Sequence, residues 1–318
     1  MTNSNTRDQH SSTISPGAPP GAGSSPAPER ARHTTSDACR GCGACVDVCP
    51  NQVLAVIDGR AHTVAVHASR CIRCGGCAAV CPNGALLLDG FSPEDFPLLG
   101  EARAGYDALL ALLGSRRSIR RFRDRPVERA VLEQVLAAAA TAPMGFPPHT
   151  TEVLILDRRD ELDHLSRVLR RDYAQLVKAY RNPLVRPVIR LSAGAEDFHA
   201  LKTHVIAIAE DANARFNQSG EDRYTYEAPA LLLFHAHRWQ VSYRTNAVIV
   251  ATHAMIAAQA LGLGTTMLDI VAPIVNRSPE LKQRWAIPKD NVAVIAMVLG
   301  YPKYKYARGV RRALKGIR

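Results

Sequence analysis

Eight cysteines carry the most specific chemical signal in this sequence, and all of them fall within one short stretch. Four of them stand at positions 39, 42, 45 and 49, and four more follow 32 residues later with the same spacing. Each set has the form C-x2-C-x2-C-x3-C-P, in which three closely spaced thiols precede a fourth. Thiolates in this spacing are a known ligand pattern of iron–sulfur clusters. The predicted ligands are Cys39, Cys42, Cys45, Cys49, Cys71, Cys74, Cys77 and Cys81.

The ligands of each centre are predicted to come from both halves of this repeat. In such a pattern, three cysteines of one run bind one cluster, and the fourth cysteine ligates the other cluster. We therefore assign Cys81 to the first centre and Cys49 to the second. Two structural zinc sites are the alternative, but these commonly use separated pairs of cysteines, often with histidine. Residues 37–90 resemble a two-[4Fe-4S] ferredoxin domain, which transfers single electrons and has no substrate chemistry of its own.

A second chemical signal is the basic run RRSIRRFRDR at residues 116–125. Four of its residues can converge on one phosphate, because guanidinium forks and a hydroxyl suit a dianion; these are Arg116, Arg117, Ser118 and Arg120. The alternatives are a solvated basic helix and a nucleic-acid patch. RNA-binding stretches often interleave aromatic residues with repeated basic clusters, whereas this run contains Phe122 alone. We therefore expect no nucleic-acid partner.

Three further segments accompany this run, namely TAPMGFPP at 141–148, LGLGTT at 261–266 and GYPK at 300–303. In this combination and order, residues 101–318 resemble the nitroreductase family of FMN enzymes. The whole chain resembles members of that family that are fused to a ferredoxin domain. The resemblance implies an α+β fold and a homodimer with FMN bound in the dimer interface.

The resemblance also implies which residues bind FMN. By this resemblance, the phosphate and ribityl chain are bound by Arg116, Arg117, Ser118 and Arg120, and the phosphate is also reached by the C-terminal Arg308 and Arg311. The segment expected to lie against the flavin ring, from the other subunit, is Pro143, Met144 and Gly145. A Gly-rich turn near the flavin contains Gly264 and Thr265. Phe146-Pro147-Pro148 replaces a small polar residue and Asn of many members, which is expected to reshape the substrate pocket. Residues 239–246 are a further candidate for the lining of this pocket. No residue is assigned a catalytic role.

The elements that position these residues follow from composition and apolar patterning. Helices are predicted at 126–142, opened by Pro126, at 160–180, and at 246–261, ended by Gly262. Strands are predicted at 153–156, 230–237 and 292–300, and a β-hairpin turns at Asp58-Gly59. Because no regular βαβ repeat is present, the fold class is α+β. The predicted domains are a disordered tail at 1–36, a two-cluster ferredoxin domain with its connector at 37–100, and an FMN domain at 101–318.

Charge and hydropathy limit the partners of this chain. The net charge is +11, of which residues 37–100 carry −2 and residues 101–318 carry +12. This basic excess favours anionic ligands or acidic partners. Residues 167–190 hold seven Lys or Arg against one Asp, which indicates a solvated helix face or, alternatively, a docking face for an acidic electron carrier. His235 and His237 share one face of a strand and are interpreted as neutral, hydrogen-bonded histidines rather than metal ligands.

The expected location is the cytoplasm, where thiols stay reduced. The sequence contains no run of 18 apolar residues, so no membrane span is predicted, and the first residues do not resemble a secretory signal. The expected function is that of an FMN-dependent oxidoreductase, which receives electrons through two [4Fe-4S] clusters and reduces a conjugated small molecule such as a nitroaromatic or quinone. Its electron donor is an external protein or NAD(P)H. The alternatives are transfer from a nicotinamide through FMN and the clusters to a partner protein, and a relay without catalysis.

Overall fold

The computed structural model describes residues 33–100, 104–145 and 150–310, together with Leu314 and Gly316. The chain divides into two compact units, Met1–Leu99 and Gly100–Arg318, and each has its own core. Among the described helices, none is both long and apolar enough to cross a membrane.

The first unit consists of two short two-stranded sheets and small helices. Strand β1 pairs with β4, and β2 pairs with β3 in the predicted hairpin, both antiparallel. Asp58 and Gly59 form its turn with φ values of 49° and 72°, as a type I′ turn requires. The strands are β1 His33–Thr35, β2 Leu54–Ile57, β3 Arg60–Thr63 and β4 Leu86–Leu88; the α-helices are α1 Ala44–Asp47 and α2 Gly76–Ala79; the 3-10 helices are Ala65–Arg70 and Pro93–Asp95.

The predicted disordered tail extends too far toward the first cysteine. Residues 1–32 lie outside the described part of the chain, but His33–Thr35 forms β1. This strand is stabilised by its pairing with β4 and by a hydrogen bond of 3.3 Å from the His33 N–H to Thr63 Oγ1. The partners stand 30 or more residues away, so local composition did not reveal the strand.

The second unit is built on an antiparallel four-stranded sheet in the order β5-β6-β8-β7. The strands are β5 Glu152–Leu156, β6 Ala230–His237, β7 Gly264–Leu268 and β8 Asn291–Gly300. The three predicted strands are confirmed to within one residue. The expectation of a turn at Gly264 and Thr265 is wrong, because both residues belong to β7 and pair with β8.

Helices cover both faces of this sheet. On β6, Leu231 and Leu233 belong to one buried cluster, and Leu232 and Phe234 belong to the other, as the alternation of a strand requires. The first cluster includes buried residues of the helices Arg159–Arg181, Ile206–Ser219 and Val271–Arg277, and the second those of the helices Arg129–Ala139 and Tyr243–Ala260. The helices are α3 Tyr106–Ser115, α4 Arg129–Ala139, α5 Arg159–Arg181, α6 Arg186–Ala200, α7 Ile206–Ser219, α8 Tyr243–Ala260, α9 Val271–Arg277 and α10 Pro279–Arg284, with a π-helix at Leu201–Val205.

The mixture of helices and strands confirms the α+β class, and two helix boundaries test the local predictions. Helix α8 ends in a Schellman motif, since Gly262 has φ 77° and the Leu263 N–H donates to the Ala258 carbonyl at 2.8 Å. The predicted start of α4 at Pro126 is wrong, because the helix begins at Arg129. Glu128 precedes it, and the side chain of Glu128 accepts hydrogen bonds from Tyr301 at 2.6 Å and Arg125 at 2.6 Å.

Candidate functional site

The first unit brings four cysteines from both halves of the repeat around one pocket. Cys39, Cys42 and Cys45 line it together with Cys81, which lies 36 residues further along the chain. Val56, Ala61 and Leu86 are among the apolar walls of this pocket. This set is the one assigned to the first centre by spacing.

A second pocket has the complementary set of cysteines. Cys71, Cys74 and Cys77 line it together with Cys49, and Val53 and Leu88 are among its apolar walls. All eight cysteines are free thiols. Among the described residues, no group of three or more His, Cys, Asp or Glu side chains is placed to bind a single metal ion.

The two pockets are related by matching hydrogen bonds 32 residues apart. The Val53 N–H donates to Cys49 Sγ at 3.3 Å, and the Ala85 N–H donates to Cys81 Sγ at 3.2 Å. Asn51 Nδ2 donates to the Arg70 carbonyl at 2.9 Å, and Asn83 Nδ2 to the Ala38 carbonyl at 3.1 Å, so each asparagine joins one half to the other. The residues that precede α1 and α2 also match, since these are Gly43 and Gly75 and both have positive φ.

The thiols differ in acidity. Hydrogen bonds from the backbone of Gly41 and Ala61 lower the pKa of Cys39, which favours its thiolate. Burial, together with the neighbouring Cys71 and Cys74, raises the pKa of Cys77 to about 11. Four thiolates in so small a space repel one another, so a polynuclear cation such as an iron–sulfur core suits this donor set.

In the second unit, the basic run lies alongside the edge strand β7. Ser118 forms a parallel bridge with Thr265, and the Ile119 N–H donates to the Thr265 carbonyl at 2.9 Å. Thr266 Oγ1 donates to the Ile119 carbonyl at 2.5 Å. A Cβ at position 264 would lie 2.5 Å from Ile119 Cγ1, so only glycine permits this approach. Two predicted site segments that are 147 residues apart are therefore adjacent.

The arginines of the run have different neighbours. Arg117 Nη2 donates to the Arg308 carbonyl at 3.4 Å, and its Nη1 donates to the carbonyls of Gly114, at 3.0 Å, and Arg116. The Arg120 guanidinium instead lies 5.7 Å from the centre of the Tyr226 ring. The Arg117 side chain thus lies against the Arg308 backbone, whereas the Arg120 guanidinium lies by the Tyr226 ring. Arg311, which is predicted to reach the phosphate, lies outside the described residues, as do Phe146, Pro147 and Pro148.

The segment Pro143–Gly145 is held at the start of α8. The Gly145 N–H donates to Asn246 Oδ1 at 2.7 Å, and Asn246 is buried. Met144 packs against the apolar cluster beneath α4 and α8, while Pro143 and Gly145 are exposed. The sequence analysis names Asn246 only as the last residue of the segment 239–246, a candidate lining of the substrate pocket. A buried asparagine in an otherwise apolar helix face is the signal that singles it out.

Two weaker sequence features have identified contacts within the chain. The His235 Nδ1 lies 3.0 Å from Asn291 Nδ2, and burial lowers the pKa of His235, which confirms a neutral, hydrogen-bonded histidine. In the 167–190 run, Arg181 pairs with Glu210 at 2.8 Å, and the Arg170 guanidinium lies 3.3 Å from the centre of the Phe216 ring.

Comparison with known proteins gives two family matches. The model of the Nitroreductase family matches residues 113–301, and the model of a 4Fe-4S dicluster domain matches residues 38–85. A search among curated proteins found no match.

Solved structures of low sequence identity are also similar to this chain. A nitroreductase with bound FMN from Bacteroides fragilis is 17% identical, with a TM-score of 0.48, over 66% of this chain and 96% of that chain. One with bound FMN from Desulfitobacterium hafniense is 18% identical, with a TM-score of 0.46, over 64% and 94%. An FMN-dependent nitroreductase from Clostridium difficile is 18% identical, with a TM-score of 0.41, over 64% and 91%.

Proposed function

We propose that the N-terminal domain of this chain transfers electrons to FMN through two [4Fe-4S] clusters. The premise is that the chain belongs to the nitroreductase family and is an FMN-dependent oxidoreductase. The reaction is the reduction of a conjugated small molecule, such as a nitroaromatic or a quinone. One observation carries this proposal: a single chain joins a 4Fe-4S dicluster domain to a nitroreductase domain. A dicluster domain has no substrate chemistry, so its electrons must serve the second domain or a partner.

The chemistry of the acceptor requires two electrons, whereas each cluster transfers one. When bound, FMN supplies the conversion between one-electron delivery and two-electron reduction. A nitro group takes up two electrons and two protons, one N–O bond breaks, and water leaves with the nitroso product. Electrons come from an external reduced carrier protein or from NAD(P)H, and protons come from solvent.

The residues beside β7 are proposed to bind the FMN phosphate and ribityl chain. The Arg117 guanidinium lies there against the backbone carbonyl of Arg308, and Ser118 pairs with Thr265. Guanidinium groups suit a phosphate dianion, and glycine at position 264 lets the two backbones approach. Arg116, Arg120 and Arg311 remain proposed contributors to the same cofactor, as do Pro143, Met144 and Gly145 against the flavin ring.

The separation of these segments within one chain supports a homodimer. Gly145 is bonded to Asn246 near the start of α8, whereas Ser115, which precedes the basic run, accepts a hydrogen bond of 3.1 Å from Gln259 near its end. Thirteen helical residues span about 20 Å. We infer that one copy supplies the phosphate side of each FMN site and the second copy supplies the ring side.

The surface of α3 supports the same assembly. This helix has the sequence YDALLALLGS and buries none of its residues. Leu109, Leu110 and Leu113 are exposed on it. A leucine-rich helix normally covers its apolar face by packing, and a second copy would provide that cover. We place the dimer in the cytoplasm, where the eight ligand thiols stay reduced.

Anaerobic analysis tests the cofactor set. We expect about eight iron atoms and one FMN per chain. Arg117→Ala is expected to lower FMN content and leave iron unchanged. Arg123→Ala is the matched control, because its Nε donates to the Pro302 carbonyl at 3.1 Å and no FMN role is proposed for it. Full FMN content in Arg117→Ala would exclude the assigned phosphate site.

Stopped-flow spectroscopy tests the direction of electron flow. A reduced one-electron donor is expected to bleach the cluster absorbance before the flavin absorbance. The alternative route, from a nicotinamide to a partner protein, predicts that NADPH alone reduces the flavin first and the clusters afterwards. A reduced protein that turns over neither nitroaromatics nor quinones would favour the relay without catalysis.

A further inference from the structure

The loop between β6 and α8 exposes the larger part of an indole ring to solvent. Trp239 is 81% exposed, whereas the second tryptophan of the chain, Trp285, is 9% exposed and donates a hydrogen bond of 2.9 Å to Glu161. Aromatic side chains gain their stabilisation by covering apolar area. An indole left open on a short loop is therefore suited to cover a ligand.

The backbone around this indole is held in a defined conformation. The Arg238 N–H donates to the Asp290 carbonyl at 3.0 Å, and the Gln240 N–H donates to the His237 carbonyl at 3.1 Å. Ser242, the residue before α8, has φ 58° and ψ 19°, which is a left-handed conformation that serine seldom adopts. Such conformations persist where the surrounding structure imposes them, and they concentrate at functional sites.

This loop contacts the segment proposed to lie against the flavin ring. A Cβ at Gly145 would lie 3.4 Å from the Ser242 Cβ, and the Gly145 N–H already donates to Asn246 Oδ1. Trp239 stands three residues before Ser242, a reach of at most about 11 Å. Trp239 therefore stands on the same short loop as the residue that contacts Gly145.

We propose that Trp239 determines acceptor specificity, because its indole stacks on the planar, conjugated acceptor next to the Pro143–Gly145 segment. This inference rests on the proposed function, since it requires the flavin ring to lie at that segment. Nitroaromatics and quinones are flat and electron-poor. The electron-rich face of an indole attracts such rings in an offset stack.

Two substitutions separate the aromatic face from mere bulk. Trp239→Leu keeps an apolar side chain without a ring, and Trp239→Phe keeps a ring. With 4-nitrobenzoate and with 1,4-benzoquinone as acceptors, we expect Trp239→Leu to raise KM about three- to tenfold, as the loss of one stacking contact implies. We expect kcat to stay unchanged and Trp239→Phe to recover most of the affinity.

Binding can be measured without turnover. The oxidised holoprotein is titrated with 4-nitrobenzoate, and tryptophan emission and the visible flavin band are followed. Trp285 is present in both the wild type and Trp239→Leu, so the difference between their emissions reports on Trp239. We expect quenching of that difference signal at the same concentrations that shift the flavin band.

The outcomes distinguish this inference from the function on which it rests. A flavin shift and turnover that are identical in the wild type and Trp239→Leu would overturn the role of Trp239 and leave the proposed function intact. A wild-type holoprotein whose flavin band responds to neither acceptor would overturn both. Equal KM values for the Leu and Phe variants would exclude stacking as the cause.

Discussion

The two units of this chain are stabilised by different means. In the first, the buried cluster consists of Cys45, Leu54, Ala61 and Leu86, with Cys39 and Cys77 packed against it. In the second, apolar residues fill both faces of a four-stranded sheet. Small domains with little apolar core commonly depend on metal ligation. Three of the eight proposed ligand thiols, those of Cys39, Cys45 and Cys77, belong to or pack against this core, so the proposed cluster ligation and the fold of the first unit involve some of the same residues.

The largest expected effect comes from removal of the iron. We expect anaerobic chelation to unfold the first unit and to leave the second unit folded, because metal binding contributes to folding only where ligands form the core. Hydrogen exchange followed by mass spectrometry measures this unit by unit. Persistent protection of the β2–β3 hairpin after complete iron loss would show that the two units do not differ in this way.

Loss of one crossing ligand is expected to remove about half of the iron. Cys81→Ala is expected to lose the centre of Cys39, Cys42 and Cys45, because the pocket places them together. Adding Cys42→Ala should then cost no further iron, whereas adding Cys74→Ala should remove the rest. The iron content per chain of these double variants shows which cysteines bind the same cluster. The opposite pattern would mean that each run binds its own cluster.

A cavity in the second unit should leave the iron untouched. Leu233 on β6 is fully buried, so Leu233→Ala is expected to lower the free energy of unfolding of this unit by about 2–5 kcal/mol. Denaturant unfolding gives the change, and iron content is the control. A loss of iron with this variant would show that the stabilities of the two units are coupled.

Within the first unit, two glycines with nearly equal φ test the effect of close packing. Gly41 has φ 62°, and a Cβ there would lie 2.6 Å from the Gly59 carbonyl oxygen; Gly84 has φ 58° and open space. We expect Gly41→Ala to cost about 2–4 kcal/mol and Gly84→Ala about 1 kcal/mol, because only the first adds a clash to the left-handed conformation. Thermal unfolding of the holoprotein compares them. Equal midpoints would contradict the predicted contact.

The smallest expected effect lies at the position that corresponds to Gly41 in the second half. Arg73 stands there with φ 56°, and its Nη2 donates to the Asp89 carbonyl at 2.6 Å. Both Arg73→Gly and Arg73→Ala lose this bond, but only glycine removes the strain. We expect the Gly variant to be more stable than the Ala variant by about 1 kcal/mol. The same unfolding experiment checks the order, and a more stable Ala variant would reverse the argument.

Short-range patterns were sufficient for much of the chain. The cysteine sets follow from spacing because a cluster needs thiolates at fixed intervals, and β6 and β8 follow from long apolar runs. The end of α8 follows from Gly262. The α6–α7 region and β1 were not predicted, because α6 buries no residue in the described chain and β1 depends on pairing with β4.

The sequence by itself determined the cysteine spacing that predicts two ligand sets, and it determined the elements with strong local patterns, such as β6, β8 and the end of α8, since these depend on neighbours within a few positions. The tertiary structure decided where remote segments meet. It paired Ser118 with Thr265, made a strand of the expected turn at Gly264, and bonded Gly145 to Asn246 across 101 residues. Such contacts form only when the sheet and α8 are packed, because no local pattern encodes a hydrogen bond between residues so far apart in the chain.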